Sequence, residues 1–246
     1  MGLWTRIRLS GSEQNRWMAA PASTIVLRHA AFGLGTPPAL ALMNAGVALV
    51  QSYLNLNGYF TVTEFPVVRE QTGGGYAEIT DLDVLAVRFP EARHVVPRGR
   101  PGPEDDLRLA VDPALALTPD AVDVIIGEVK EGKARLNDAM RRSDVLHAAL
   151  CRVGCVPASR MDPVIRELQA RGETRVAAAT GASASRIRVL AFGDGSGGER
   201  NGYRVIPLED VAAFVNDFLE RYHEVLQPVD LSDQVLGLLH LLRKLS

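Results

Sequence analysis

The stretch Val122-Asp123-Val124-Ile125-Ile126-Gly127-Glu128-Val129-Lys130 decides the fold. Its middle, Val124-Ile125-Ile126, is apolar on both faces, as expected of a central strand covered on both sides. A Glu-X-Lys string follows at its end. Upstream, Tyr59 to Val68 is rich in β-branched and aromatic residues, Gly73-Gly74-Gly75 forms a turn, and Ile79 to Phe89 reads as a second strand, giving an antiparallel hairpin. Before the hairpin, Leu40, Met43, Val47, Val50, Tyr53 and Leu54 follow helical spacing, which predicts a helix over 39–55 stopped by Asn57-Gly58.

Downstream, helical patterning runs from Asn137 to Val153 and from Asp162 to Arg171, with Pro163 in a first turn. Strands are predicted over 186–192 and 203–206. Two C-terminal helices follow within 208–246: an amphipathic one over 208–226, and one over 232–245 with Asp233 at its start. Residues 90–119 carry Pro97, Pro101, Pro103, Pro113 and Pro119 with Gly99 and Gly102, which predicts an insertion loop. Residues 1–37 have no clean period and read as an arm, whose Arg6, Arg8, Arg16 and Arg28 either clamp a phosphate backbone or are simply solvated. The expectation is one α/β domain over 38–246 around a mixed sheet flanked by helices.

The strand pattern also gathers chemistry. In Ile79-Thr80-Asp81-Leu82-Asp83-Val84-Leu85-Ala86, alternation puts Asp81 and Asp83 on one face. Glu128 and Lys130 share a face roughly 7 Å apart, and neighbouring strands lie about 4.8 Å apart, so all four polar tips converge if these strands are adjacent. Crowded carboxylates raise one another's pKa unless a hard cation joins them, and oxygen ligands suit Mg²⁺ or Mn²⁺. Only three of the 27 positive residues are lysines, and two of them, Lys130 and Lys133, stand beside Glu128.

This arrangement resembles the PD-(D/E)XK nuclease superfamily, whose restriction-endonuclease-like core has a helix, an entering strand, an Asp strand and a Glu-X-Lys strand. The resemblance covers helix one to the helix after Asn137. It implies a metal-dependent nuclease, most readily on DNA, with Asp83, Glu128 and Lys130 catalytic. Asp83, Glu128 and the Val129 carbonyl would be metal ligands, Asp81 an auxiliary acid, and Lys133, Arg135 and Asn137 nucleic-acid contacts. The predicted first helix carries no acidic residue, unlike many members. A second reading therefore stands beside the first: a nuclease-like module without turnover that binds nucleic acid or scaffolds a protein complex.

Other features narrow the classes. A formal charge of −2 excludes a polybasic protein that coats nucleic acid. Two cysteines, Cys151 and Cys155, build no disulfide framework and read as small apolar helix residues, which fits a reducing cytoplasm. Neither a membrane span nor a secretory signal is expected. Gly193-Asp194-Gly195-Ser196-Gly197-Gly198 matches a dinucleotide-binding string, but a strand and not a helix is predicted after it, so it reads as a hairpin loop. The apolar helix over 232–245 reads as core or as a homodimer surface.

Overall fold

The computed structural model describes residues 44–97, 106–177, 183–200, 202–229 and 231–245; the expected arm lies outside them. Helix α1 (Ala45–Leu56) begins where Asn44 accepts the Val47 N–H at 3.2 Å, and it ends at Asn57. The hairpin follows as β1 (Phe60–Glu70) and β2 (Tyr76–Arg88). The predicted central strand is β5 (Ala121–Lys133). Beyond it come α2 (Ser143–Val153), α3 (Met161–Arg171), β6 (Glu173–Val176), β7 (Ala184–Asp194), β8 (Gly198–Arg200) and β9 (Tyr203–Pro207). Helices α4 (Leu208–Arg221), α5 (His223–Leu226) and α6 (Gln234–Leu245) complete the chain.

The sheet runs β1-β2-β5-β7-β9-β8 and is mixed: β1, β2 and β5 pair antiparallel, whereas β5-β7 and β7-β9 are parallel. The second edge of β7 is shared, β6 pairing with residues 185–188 and β9 with residues 190–193. Helices cover both faces. Val124 and Ile126 of β5 pack with α2 and α3, while Ile125 and Val129 pack with α1, α4 and α6. Burial on both faces is what the continuous apolar run required. Among the described residues, no helix is long and apolar enough to cross a membrane.

Several expectations are corrected. The insertion is more than a loop: β3 (Val95–Val96) pairs with β4 (Leu107–Arg108), and Leu109 and Leu115 enter the core at 6% and 0% exposure. The helix predicted from Asn137 is a 3₁₀ turn over 138–141 followed by α2. Arg142 breaks the two with an extended ψ of 140° while its guanidinium grips Asp144. The helix predicted over 208–226 breaks at Tyr222, whose hydroxyl accepts the Ala110 N–H at 2.7 Å. Cys151 is exposed, and Cys155 lies beyond α2, past the Gly154 cap, where burial pushes its thiol up. Asp233 caps α6 as expected, accepting the Val235 and Leu236 N–H groups.

Candidate active site

The β2–β5 ladder runs from Arg88 opposite Asp123 to Val84 opposite Gly127 and then stops. One residue further, Asp83 replaces backbone pairing with its side chain: Oδ2 accepts the Val129 N–H at 2.6 Å. The carboxylate is thereby fixed across the strand that carries Glu128 and Lys130. An extended residue aims its N–H and C=O at the same strand edge, which leaves the Val129 carbonyl on the β2 edge as well.

Glu128 is 3% exposed, and Lys130, whose side chain is about two-fifths exposed, reaches back to pair Nζ with Glu128 Oε1. Alternation along β5 sends Glu128 to the α2 side of the sheet, since Val124 and Ile126 face that way. Gly127 keeps the crossing close, because a Cβ there would lie 3.2 Å from the Phe192 ring. Gly193 of β7 matters more. A Cβ at that position would stand 2.7 Å from the Gly132 carbonyl and 2.9 Å from the Lys130 carbonyl, so only glycine lets the irregular end of β5 lie against β7.

The electrostatics follow from burial and crowding. Desolvation pushes the Asp83 carboxyl above its ordinary range; the Val129 N–H and the Lys130 charge oppose this, and Asp81 and Glu64 add to it. Burial likewise raises Glu128, against the hydrogen bond from Lys130 and with the help of Asp83 and Asp81. For Lys130, burial works against the ammonium, but Glu128, Asp83 and Asp81 outweigh it and hold the proton more tightly than usual. One ammonium thus serves a cluster of carboxylates.

Lys130 also lines a recess of about 420 Å³ with Arg135, Leu136, Asn137 and Asp138. Two of the three expected nucleic-acid contacts, Arg135 and Asn137, therefore share a wall with Lys130; Asn137 Oδ1 also caps the 3₁₀ turn through the Ala139 N–H. Lys133 is not part of that wall and stands in register with Asp194 of β7. Asp81 is exposed on β2, and its charge reaches both Asp83 and Glu128.

Sequence reasoning missed Glu64. Thr63 pairs with Val84 and Phe65 with Leu82, so Glu64 faces Asp83 across the hairpin, in the left-handed region at φ 52°. Counting back from the Gly73-Gly74-Gly75 turn would have found it, once the register shift between Val67 and Val68 is known. The missing acidic residue of α1 stays missing: its first turn holds none.

No protein-family model, curated protein or solved structure matches the chain. The site must therefore be judged on its own donors. Among the described residues, no three His, Cys, Asp or Glu side chains are arranged to hold a metal. Magnesium, however, is commonly held by one or two carboxylates, with water and substrate phosphate filling its shell. Asp83 and Glu128, both raised by burial and Glu128 also by the Asp83 charge, are the two carboxylates that would fill that smaller role.

Proposed function

We propose that this chain is a metal-dependent nuclease of the PD-(D/E)XK type, with a restriction-endonuclease-like core, hydrolysing phosphodiesters most readily in DNA. The observation that carries the reading is the Asp83–Val129 hydrogen bond, which draws the Asp strand onto the Glu-X-Lys strand at the point where the ladder ends. The order helix, hairpin, Glu-X-Lys strand and helix around a mixed sheet supports the same reading.

Asp83 and Glu128, assisted by Asp81 and the Val129 carbonyl, would hold Mg²⁺ or Mn²⁺. A divalent cation there supplies charge to phosphate oxygens and activates the attacking water. The chain's own contribution is Lys130. Its ammonium, fixed by Glu128 and open to the recess, offers a compact positive charge to an oxygen that gains negative charge as the ester is attacked. Arg135 and Asn137 position the adjoining backbone phosphate, and Lys133 adds to the local positive field. The cytoplasm is the proposed compartment, and two copies are proposed to pair through α6, whose Leu238, Leu241, Leu242 and Leu245 are all more than half exposed.

Incubating the full chain with plasmid, linear and single-stranded DNA and with RNA, in Mg²⁺, Mn²⁺ or EDTA, tests the proposal. Products that need metal and vanish in Asp83→Ala are expected. Nucleic acid bound without products in either metal would favour the module without turnover, a reading that the acid-free first turn of α1 also favours. Light scattering with Leu242→Glu checks the pairing: a monomer for the unaltered chain refutes it.

A further inference from the structure

A second recess, of about 430 Å³, opens at the other end of the β2–β5 ladder. Five residues of strand separate Asp123, opposite Arg88, from Glu128, about 16 Å along β5. Three guanidinium groups, Arg88, Arg93 and Arg108, line this recess.

The charges there are unevenly matched. Arg88 is only 8% exposed, yet its two hydrogen bonds go to neutral carbonyls: Nε donates to Asn57 at 3.0 Å and Nη2 to Ala92 at 2.5 Å. Among the described residues, no carboxylate lies within ion-pair distance of Arg88 or of Arg108. The carboxylate in register with Arg88, Asp123, is committed to Arg188 and Tyr59. Of the acids on the wall, Glu91 pairs with Arg93, and Asp112 accepts the Tyr53 hydroxyl and the Ala114 N–H, both at 2.8 Å. Asn57 caps α1, so the negative pole of that helix offsets about half a unit of the Arg88 charge. For the remainder, and for Arg108, the described residues supply no carboxylate at ion-pair distance; Asp112 is the one acid on the wall that is not itself ion-paired.

The backbone is bent to hold Arg88 in this position. The Ala92 N–H returns to the Phe89 carbonyl at 3.2 Å, closing a turn whose third residue, Glu91, has φ 61°, a place that favours glycine or asparagine. That turn delivers the Ala92 carbonyl to Arg88. Leu109, Leu117 and Pro119 give the wall an apolar stretch, interrupted by Thr118, whose buried hydroxyl has no partner among the described residues.

We propose that this recess binds a small organic anion. A phosphate or carboxylate would sit between the guanidinium groups of Arg88 and Arg108, which can donate paired N–H groups to two oxygens of either, with its apolar body against Leu109, Leu117 and Pro119. The volume is within the range of small-molecule sites, about 300–1,000 Å³. The proposal is independent of the nuclease reading, because it shares no residue with the carboxylate–lysine cluster.

Calorimetric titration of the full chain in a chloride buffer, with phenyl phosphate, benzoate, benzyl alcohol and inorganic phosphate, tests it. One saturable site is expected for phenyl phosphate or benzoate, the stronger of the two identifying the anion, and none for the neutral alcohol. Arg108→Gln, at an exposed position on a two-residue strand, should weaken that binding at least about tenfold, whereas Asp83→Asn should leave it unchanged. Absence of saturable binding of either organic anion up to about 10 mM, or unchanged affinity in Arg108→Gln, overturns the proposal. Inorganic phosphate binding as tightly as phenyl phosphate overturns the apolar half of it.

Discussion

Strand β5 buries two carboxylates, and their fates differ. At its start, Asp123 is 1% exposed and its Oδ2 receives both Tyr59 Oη and Arg188 Nη2, while Arg188 Nη1 reaches the Leu115 carbonyl at 2.9 Å. Burial, and next the neighbouring Asp123 charge, drive the Tyr59 hydroxyl far above its ordinary value, so it stays a donor. Near the end of β5, Glu128 is nearly as buried, but the cation it pairs with is about two-fifths exposed and serves Asp83 and Asp81 too. The first acid is ion-paired and sealed under the insertion; the second is undercompensated, and the lysine that meets it lines an open recess. Charge balance, more than burial, distinguishes the two acids.

The sealed end should fail by unfolding. Arg188→Ala leaves Asp123 buried and unpaired, a loss of about 3–5 kcal/mol that thermal denaturation would read as a drop of roughly 10 °C. Cleavage per folded molecule should stay near normal. If the melting point moves by less than a couple of degrees, the pair is not what holds that end, and the contrast collapses.

The open end should fail in the opposite way. Lys130→Ala is expected to cut metal-dependent cleavage by about 10²–10³-fold, with a circular dichroism spectrum like that of the unaltered chain. Unchanged turnover would remove Lys130 from the chemistry. A third substitution reaches the site from behind: Gly193→Ala forces a Cβ against the Gly132 and Lys130 carbonyls and should cost about 1–3 kcal/mol, with a fall in cleavage as the end of β5 shifts.

The smallest effect has the most telling sign. Because Asp83 is raised in the folded chain, folding favours its protonated form, so its charge lowers stability above the folded pKa and that cost fades as pH falls through it. Asp83→Asn retains an oxygen for the Val129 N–H and should therefore raise stability at pH 7–8 by about 1 kcal/mol, or roughly 2–4 °C. The gain should shrink in acid, and Mg²⁺ should stabilise the unaltered chain more than the variant. A loss of stability at neutral pH would show that the Asp83 charge is already well compensated. Cleavage should likewise decline as acid protonates Asp83 and Glu128.

Much of the frame was legible because it rests on local pattern. The apolar run Val124-Ile125-Ile126 predicted a central strand and became one; the triple glycine predicted the hairpin; Asp233 predicted a helix start. Strands β6 and β8 were not legible. Glu173-Thr174-Arg175-Val176 is short and half charged, and Gly198-Glu199-Arg200 lies in a glycine-rich loop, so each is a strand only because a neighbour supplies its ladder. The dinucleotide-like string thus ends in β8, as its lack of a following helix required.

For the site, sequence alone determined the acids and the lysine, since strand periodicity places Asp81 with Asp83 and Glu128 with Lys130. It could not determine that Asp83 meets Val129, that Glu64 faces Asp83, or that Asp123 belongs to Arg188. Those pairings join residues 19 to 65 positions apart, and strand order and register decide them. A period of two fixes the face a side chain takes; only the assembled sheet fixes which charge stands across from it.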